Sequence, residues 1–387
     1  MLKAPLPNWF WVDTQDRFEQ CLDEIISTGS YAFDTEFHRE RSYYADLALI
    51  QLKWQDKIAL CDPYKLDLGS LEKLFESDAL AVGHACEQDL QIFYKVCGKI
   101  PSNLFDTQLA AGFVGMSSPS LAKLTEAFLG ISISKQSRLS DWTIRPLSNQ
   151  QQAYAALDVM YLINLYALLD AKLNKLGRST WLKQELDNLL SRSSKTIDVK
   201  KAWWKLKDSK TLEGKSRGVA QQVAAWREIL AQEKNIPSRF IISDLAISSI
   251  AHSLVLSKDD LYQVRGMDLN KLNASSIESL LQALQEGINL QEKDLVLPPF
   301  NEYIDSKLKP ALALVSAWIS QFCQDIDLDP SLLATRKDLE LFFNGKQNRL
   351  DLGWRKELIG QSIQELLRGN LVVALEQGYR LVLEKRN

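Results

Sequence analysis

The 387-residue sequence is poor in the residues that build disulfide frameworks and histidine metal sites. It has only five cysteines, at positions 21, 61, 86, 97 and 323, and no Cys-x-x-Cys pair. An odd, scattered set of cysteines argues against both a disulfide framework and a zinc site, and is typical of a reducing compartment. Only three histidines are present, so histidine-based metal chemistry is poorly supplied as well.

Long hydrophobic runs and a strong charge imbalance are also missing. The longest apolar run, 311–319 with Ser316 inside it, is far too short to span a bilayer. No apolar segment follows Lys3, so we expect no secretory signal. The net charge of −3 excludes a histone-like polycation and, taken alone, argues against a nucleic-acid partner. These features predict a cytoplasmic, multidomain protein with no membrane partner, and they identify no protein partner.

The sequence that is present divides into an α/β part and a helical part. Its length and its 46% hydrophobic content suggest two or three domains with real cores. Hydrophobic patterns predict strands at 31–33, 46–52, 57–61 and 79–84, and helices at 68–75, 87–96, 106–114, 121–129 and 148–176. Hairpin-like strands followed by alternating helices and strands predict a mixed sheet flanked by helices.

The chain beyond residue 212 is predicted to be entirely helical and to contain a weak repeat. Trp226 and Trp318 stand 92 positions apart, and Pro237 and Pro330 stand 93 apart. A nearly constant offset over several landmarks predicts two copies of one small helical domain.

A basic stretch joins the two parts. Residues 172–217 contain thirteen Lys and Arg against five acids, with Trp203, Trp204 and Leu206 among the lysines. Cations for phosphate and aromatics for bases predict a junction that faces nucleic acid. A solvated helix between domains, whose tryptophans are core residues, fits the pattern equally well.

Two acidic residues form the strongest local signal. Asp34 and Glu36 lie two residues apart in the segment 33–37, so on a strand their side chains share a face, while Thr35 points to the other side. Adjacent carboxylates repel each other unless a cation lies between them, and a hard divalent ion is the natural occupant.

Two further segments add to this pair. Tyr154 and Asp158 are four residues apart in a predicted helix and so share one face. Asp89 lies near the start of a helix that follows a strand. Taken singly, each has a structural alternative: Tyr154 as a core tyrosine, and Asp89 as an acid favoured by a helix N-terminus.

The order and the flanks of these residues resemble the DEDD superfamily of 3′→5′ exonucleases and, within it, the ribonuclease D family. The histidine subtype has its histidine five residues before the last aspartate, where this chain has Ala153, whereas Tyr154 stands four residues before it. The chain is therefore similar to the tyrosine subtype, and its helical repeats resemble the HRDC domains of that family. The segments that carry the resemblance are 33–37, 41–44, 49–52, 106–108, 140–147 and 154–158.

The resemblance implies a ribonuclease H-like α/β exonuclease domain, with a mixed sheet flanked by helices, followed by two small all-α HRDC-like domains. The implied boundaries are 1–195 for the exonuclease domain, 196–211 for the basic junction, 212–294 for the first HRDC-like domain and 295–387 for the second.

The resemblance also implies a catalytic site. Phosphodiester hydrolysis by two divalent ions needs one ion to lower the pKa of a water and another to stabilise the leaving oxygen. A phenol with a pKa near 10 is a poor general base at neutral pH, so the implied role of the tyrosine is to aim the attacking water. The implied site consists of the metal ligands Asp34, Glu36, Asp89 and Asp158, which bind two Mg²⁺ or Mn²⁺ ions, and of Tyr154.

The implied function is a 3′→5′ exoribonuclease that trims the 3′ ends of tRNA precursors and other structured RNAs and releases 5′-mononucleotides. RNA is the implied partner. A DNA 3′→5′ exonuclease and a catalytically inactive HRDC-type nucleic-acid-binding protein are the alternatives. The HRDC-like repeats argue against the first alternative, and the complete set of acids argues against the second.

Four residues near the motifs are weaker candidates. Asp106 fits a helix N-cap better than a metal neighbour. Lys135, Trp142 and Arg145 are candidates for contacts with the RNA backbone or a terminal base, although Trp142 fits a core position better.

The net charge of −3 averages unlike parts of the chain. Residues 1–100 contain ten basic and seventeen acidic residues, among them Asp34, Glu36 and Asp89. Because bound cations would offset part of this acidic excess, the bulk charge does not argue against a nuclease.

Overall fold

The computed structural model describes residues 2–4, 7–133, 140–254, 257–298 and 306–386. The chain forms two compact units. The first unit consists of Met1–Glu36, Leu47–Ser194 and Tyr303–Asn387, and the second consists of Phe37–Asp46 and Lys195–Glu302.

The first unit is built on a six-stranded mixed sheet, whose strands in spatial order are β2 (Phe10–Val12), β5 (Lys57–Cys61), β4 (Asp46–Trp54), β3 (Ser30–His38), β6 (Leu80–Gly83) and β7 (Leu104–Asp106). Strand β5 pairs parallel with β2 and antiparallel with β4, and β6 is parallel to both β3 and β7. The predicted mixed sheet is confirmed, and the three-residue strands β2 and β7 were too short to show a period in the sequence. Strands β1 (Leu2–Lys3) and β8 (Ile131–Ser132) form a separate parallel pair.

Helices flank this sheet, as predicted. The long helix predicted at 148–176 is divided at Tyr161, whose φ of −107° departs from helical geometry, into α6 and α7. The helices of this part of the chain are α1 (Gln15–Thr28), α2 (Leu71–Phe75), α3 (Glu87–Cys97), α4 (Thr107–Gly112), α5 (Leu121–Leu129), α6 (Asn149–Met160), α7 (Leu162–Leu176) and α8 (Ser179–Ser193). Short 3-10 turns occupy Pro63–Lys65 and Leu68–Ser70.

One helical stretch, Asn149–Leu176, is long and apolar enough to cross a membrane by length and composition alone, and 39% of its most apolar window is buried inside the protein. It consists of α6 and α7, and Leu162, Leu165, Leu169 and Leu173 are buried. A row of buried leucines in a core helix accounts for this apolarity.

The second unit has a helical core that includes the basic junction. The junction forms a 3-10 helix, Val199–Lys205, in which Trp203 is fully buried. The indole N–H groups of Trp203 and Trp204 both donate to the carbonyl of Val296, at 3.1 and 2.8 Å. Trp203 is therefore confirmed as a core residue, and Trp204 is partly buried and packs against the same core. The helices are α9 (Lys215–Lys234), α10 (Ser238–Ile241), α11 (Asp244–Ser253), α12 (Lys258–Gln263) and α13 (Ala274–Asn289), with 3-10 turns at Leu269–Lys271 and Glu292–Asp294.

The described residues from 306 onward, here called the C-terminal region, are not all-α, which corrects the predicted fold. They end in an antiparallel hairpin of β9 (Leu371–Leu375) and β10 (Leu381–Lys385). Both strands are rich in Val and Leu, and the connecting turn has Gly378 and Tyr379 at positive φ, as tight hairpin turns require. The helices are α14 (Lys309–Asp325), α15 (Pro330–Leu333), α16 (Arg336–Phe343), α17 (Gly353–Arg355) and α18 (Gln361–Leu367), with 3-10 turns at Ser306–Leu308 and Arg349–Asp351 and a π turn at Lys356–Gly360.

The C-terminal region belongs to the same compact unit as the sheet. The rings of Trp181 and Trp354 stack with centroids 5.1 Å apart. Arg355 and Glu185 form an ion pair at 2.6 Å, with side chains only 5% and 12% exposed. These contacts bury aromatic and charged groups of helix α8 against the C-terminal region.

Candidate active site

Strand β3 supplies two of the predicted site residues. Phe33 and Thr35 are buried, and the ring of Phe33 lies 5.6 Å from that of Phe93 on α3. Side chains alternate along a strand, so Asp34 and Glu36 lie on the opposite face. Strand β3 is an internal strand with β4 and β6 as its neighbours, and the two carboxylates therefore stand on a rigid support.

Helix α6 supplies two more. It begins at a capping box, and the four-residue spacing puts Tyr154 and Asp158 on one face. Asp158, Asp34 and Glu36 each offer a carboxylate oxygen, and these oxygens lie within 4.8 Å of one another. The structure thus brings the strand motif and the helix motif together at one place.

Asp89 lies beside this group, on α3. It is buried, and its Oδ1 accepts a hydrogen bond from the Thr35 hydroxyl. Its charge contributes to raising the pKa of both Asp34 and Glu36. Asp89 is therefore within electrostatic reach of both residues, although it is not one of the three closely grouped carboxylates.

Burial and mutual repulsion disfavour the ionised forms of these acids. Burial, followed by the charges of Asp89, Asp158 and Glu36, raises the pKa of Asp34 well above its usual value. Burial and the neighbouring charges raise the pKa of Glu36 to about 9. Burial raises the pKa of Asp158 to about 7 and that of Asp89 to about 6. A cation among these groups allows all of them to be ionised at neutral pH.

The donor set fits a hard divalent cation. The three grouped side chains offer only carboxylate oxygens, which are the ligands that Mg²⁺ and Mn²⁺ prefer. The raised pKa values of these acids mean that ionising them without a cation is unfavourable. Both properties are those of a divalent-metal site.

Tyr154 is a hydrogen-bond donor at the edge of this group. Burial and the charges of Asp158, Glu36 and Asp34 raise the pKa of its phenol, so the hydroxyl stays protonated. It donates a hydrogen bond to the Asp158 carboxylate, and its ring lies 6.0 Å from that of Trp142. The geometry and the protonation state suit a group that orients an oxygen rather than a base.

Comparison with known proteins identifies both units. Residues 9–174 match a family described as 3′-5′ exonuclease, and residues 216–284 match the HRDC domain. The chain is 33% identical over 368 residues to ribonuclease D of Bartonella henselae, covering 93% of this chain and 90% of the relative. It is also 33% identical over 370 residues to ribonuclease D of Sphingobium indicum, covering 93% and 94%. The chain belongs to the ribonuclease D family.

The fold of this ribonuclease D family member agrees with a solved structure. The crystal structure of Escherichia coli RNase D, described as an exoribonuclease involved in structured RNA processing, superimposes with a TM-score of 0.81 at 27% identity, covering 94% of this chain and 99% of that chain. The enzyme is a 3′→5′ exoribonuclease, a hydrolase that acts on RNA. The exonuclease family that residues 9–174 match is divalent-metal dependent.

Several residues near the motifs of this ribonuclease D family member have structural roles. The Asp106 carboxylate accepts hydrogen bonds from the backbone N–H groups of Gln108 and Leu109, at 2.8 and 3.0 Å, which confirms its interpretation as a helix N-cap. Trp142 is 3% exposed, which confirms it as a core residue. Lys135 lies outside the described residues.

The contact between Thr35 and Asp89 was missed by the sequence reasoning. Strand periodicity placed Thr35 on the face away from Asp34 and Glu36, and no sequence signal links it to a residue 54 positions away. Helix α3 covers that face and carries Asp89. The hydrogen bond from Thr35 therefore ties the strand to the fourth acid through tertiary packing alone.

Proposed function

We propose that this ribonuclease D family member trims the 3′ ends of tRNA precursors and other structured RNAs in the cytoplasm and releases 5′-mononucleotides. The observation that carries the proposal is the convergence of Asp34, Glu36 and Asp158, with Asp89 and Tyr154 beside them, in an exonuclease domain joined to an HRDC domain. The description of the E. coli relative as a processor of structured RNA supports the choice of substrate class.

The proposed metal ligands are Asp34, Glu36, Asp89 and Asp158, which together would hold two Mg²⁺ or Mn²⁺ ions. Four carboxylates match the charge of two divalent cations. Bound ions would acidify the attacking water and stabilise the leaving 3′ oxygen. The chain itself contributes a rigid carboxylate frame on an internal strand and two helices, which holds the ligands at fixed positions before RNA enters.

Tyr154 is the proposed orienting residue. Its phenol is a protonated donor, so it hydrogen-bonds and aims the attacking oxygen without removing the proton. The Asp158 carboxylate, which accepts from this phenol, fixes the direction of the hydroxyl.

We also propose the four-part division of the chain. Residues 1–195 form the exonuclease domain, 196–211 the basic junction, 212–294 the first HRDC-like domain and 295–387 the second. The buried Trp226 and Trp318, on α9 and α14, support a duplicated helical domain. The junction lysines and the first HRDC-like domain, which contains the residues that match the HRDC family, 216–284, are the proposed RNA-contacting parts.

The first test is the substitution Asp34→Asn, which removes a ligand charge at nearly constant shape. We expect the Mg²⁺-dependent release of mononucleotides from a 3′-labelled RNA to fall by at least about 100-fold, since metal-assisted charge stabilisation is worth several kcal/mol. The control is Asp325→Asn, which alters an exposed acid paired with Arg380 and should leave the rate unchanged. Near-normal hydrolysis by Asp34→Asn would reject the site.

The nature of the substrate is tested with matched RNA and DNA oligonucleotides whose 3′ ends are free or blocked. The proposal expects RNA with a free 3′ end to be shortened one nucleotide at a time, and RNA with a blocked end to remain intact. Preferential digestion of DNA would favour a DNA exonuclease. Binding without digestion would favour an inactive nucleic-acid-binding protein. A tRNA precursor trimmed no faster than an unstructured RNA of equal length would reject the proposed physiological substrate.

A further inference from the structure

The guanidinium of Arg145 uses all five of its N–H donors inside the first unit. Its Nε and Nη2 donate to the two carboxylate oxygens of Asp62, at 3.1 and 2.9 Å. Nη2 also donates to the carbonyl of Ala48 at 2.5 Å, and Nη1 donates to the carbonyls of Trp142 and Ile144 at 2.8 and 3.1 Å. Because arginine has five donors in a fixed fork, this network is complete.

The surroundings of the pair hold it in one geometry. Asp62 follows strand β5, and its side chain is only 3% exposed. The rings of Trp11 and Tyr64 lie 5.7 and 4.9 Å from the guanidinium carbon. A bidentate, largely desolvated Arg–Asp pair has a well-defined orientation. Arg145 has no N–H to offer an RNA phosphate without breaking one of these bonds, which counts against the predicted role of Arg145 in RNA contact.

Arg145 is linked to the site through a single residue. The carbonyl that its Nη1 holds belongs to Trp142, a core residue whose indole ring lies 6.0 Å from the ring of Tyr154 at an angle of 39°. Tyr154 in turn donates to Asp158. The chain of contacts therefore runs from the sheet through Arg145 and Trp142 to the phenol.

Helix α6 has anchors that do not involve Arg145. It starts at its own capping box. The side chain of Gln152 accepts a hydrogen bond from the Trp9 indole at 3.0 Å and donates to the carbonyl of Leu147 at 2.8 Å. Loss of the Arg145 network therefore releases Trp142 and the adjacent phenol ring, while the helix that carries Tyr154 and Asp158 keeps its attachment.

We propose that Arg145 is a positioning residue of the exonuclease reaction. It holds Trp142 against Tyr154 and thereby keeps the phenol aimed at the carboxylate site. This inference rests on the proposed role of Tyr154 in orienting the attacking oxygen, and it makes Arg145 a determinant of turnover rather than of RNA affinity.

The substitution Arg145→Lys separates these roles, because lysine keeps the positive charge but lacks the planar guanidinium with its fixed N–H donors. With single-stranded RNA at saturating Mg²⁺, we expect kcat to fall by about 10- to 100-fold, as a displaced catalytic group does. We expect KM to change by less than about threefold. An RNA-phosphate contact would instead raise KM by more than this, because lysine cannot reproduce a bidentate contact, and that result would overturn the inference.

A double-mutant cycle shows whether Arg145 acts through Tyr154. In the Tyr154→Phe background there is no hydroxyl to aim, so Arg145→Lys should reduce kcat by less than about threefold. Equal losses in both backgrounds would reject the inference alone. An unchanged kcat in Tyr154→Phe by itself would reject the proposed role of Tyr154, and the inference with it.

A second variant and a matched control guard against a folding defect. Trp142→Phe leaves the backbone acceptors of Arg145 in place but shrinks the ring beside Tyr154, so kcat should fall, again without additivity with Tyr154→Phe. Arg349→Lys removes a similar fork, to Asp338, in the C-terminal region, and kcat should be unchanged. Thermal midpoints are measured for all variants. If Arg145→Lys does not fold, the kcat of Trp142→Phe becomes the test of the inference. A normal kcat in Trp142→Phe overturns it.

Discussion

At the scale of single residues, the site is a set of acids held together against their own repulsion. Glu36, Asp158 and Asp89 have pKa values raised to about 9, 7 and 6, and the pKa of Asp34 is raised as well. In an unfolded chain these groups ionise near pH 4. Without a cation, the folded protein therefore binds more protons than the unfolded protein between about pH 4 and pH 9.

This difference predicts how stability depends on pH. Carboxyl groups with raised pKa values contribute to the stability of the metal-free fold while they are protonated. This contribution to the free energy of unfolding is complete below about pH 4 and is lost as pH rises through about 6 to 9. In EDTA, we expect the Tm of the wild type to fall between pH 5 and pH 9. Asp34→Asn should have a smaller fall and a Tm higher by several °C at pH 9, because one repelling charge is removed. Calorimetry at a series of pH values measures both.

The same acids predict the pH dependence of metal binding. Added Mg²⁺ should raise the wild-type Tm more at pH 8.5 than at pH 5.5, since protons compete with the cation for the carboxylates. The Asp34→Asn variant serves as the control and should respond weakly at both pH values. An equal Mg²⁺ effect at both pH values in the wild type would contradict the assignment of these acids as ligands.

At the scale of elements, the second unit depends on a close approach of helices α9 and α13. A Cβ added at Gly218 would meet the carbonyl oxygen of Gly287 at 2.3 Å and the Leu290 Cβ at 3.2 Å. Backbone atoms cannot move aside as a flexible side chain can. Glycine at these positions is therefore a packing requirement and is not dictated by the backbone torsions.

We expect Gly218→Ala to destabilise the second unit by about 1–3 kcal/mol, as overpacking does. Hydrogen exchange in α9 and α13 should accelerate, while exchange in strand β3 stays slow. The control is Glu233→Ala, an exposed position on the same helix, which should change exchange little. If hydrogen exchange in α9 and α13 were unchanged in Gly218→Ala, the two helices could move apart to accommodate the added methyl group without a loss of stability.

Another element-level contact is the ion pair between Glu185 on α8 and Arg355 on α17. Burial is the largest single influence on the pKa of Glu185 and raises it. The hydrogen bond and charge of Arg355, the hydrogen bond from Trp354 and the charge of Arg349 together lower this pKa by more, so that the net direction is downward. Arg355→Met would leave a nearly buried carboxylate without its partner, and we expect a loss of about 3–5 kcal/mol in urea unfolding. Adding Glu185→Gln should recover much of this loss.

A matched control is available in the same region. Arg336→Met breaks an exposed pair with Glu340, and we expect a change below about 1 kcal/mol. If Arg355→Met costs no more than this control, then α8 does not depend on the C-terminal region for its stability.

At the scale of the whole molecule, the charge is distributed unevenly. The first hundred residues are acidic and contain three proposed ligands, whereas the segment 172–217 has an excess of basic residues. Trp203 lies in the core of the second unit, and Trp204 packs against that core. The complete burial of Trp203 excludes base stacking on its ring. The exposed lysines of the junction are therefore its proposed contacts with RNA.

We expect the triple substitution Lys200→Gln, Lys207→Gln and Lys210→Gln to weaken RNA binding. Each phosphate contact removed lowers the slope of log affinity against log salt by about 0.7 for a single strand, so the slope should decrease by up to about 2. A filter-binding titration at several salt concentrations measures it.

The control for this charge change is a triple substitution in the C-terminal region, Lys309→Gln, Lys337→Gln and Lys356→Gln, which removes the same charge from exposed positions. We expect a smaller change in slope. Equal effects of the two triple variants would show that RNA affinity depends on the total charge of the protein and not on the junction lysines.

Local periodicity and residue type were enough to predict several features of this protein. The two-residue spacing of Asp34 and Glu36 and the four-residue spacing of Tyr154 and Asp158 establish which side chains share a face, because strand and helix geometry are local properties. The mixed sheet with flanking helices could be predicted in the same way. The motifs around these residues were sufficient to indicate the ribonuclease D family.

Contacts between elements that are far apart in the chain depend on tertiary packing, and the sequence patterns did not predict them. Arg145 and Asp62 are 83 positions apart, and no sequence period links them. The motif around Arg145 therefore could not predict that its guanidinium binds groups of the sheet and not RNA. The segments that form β9 and β10 are apolar enough to fit either a helix or a strand. Their pairing as a hairpin depends on the turn between them and on packing against α14. Such contacts depend on the complementarity of distant surfaces, which local patterns do not encode.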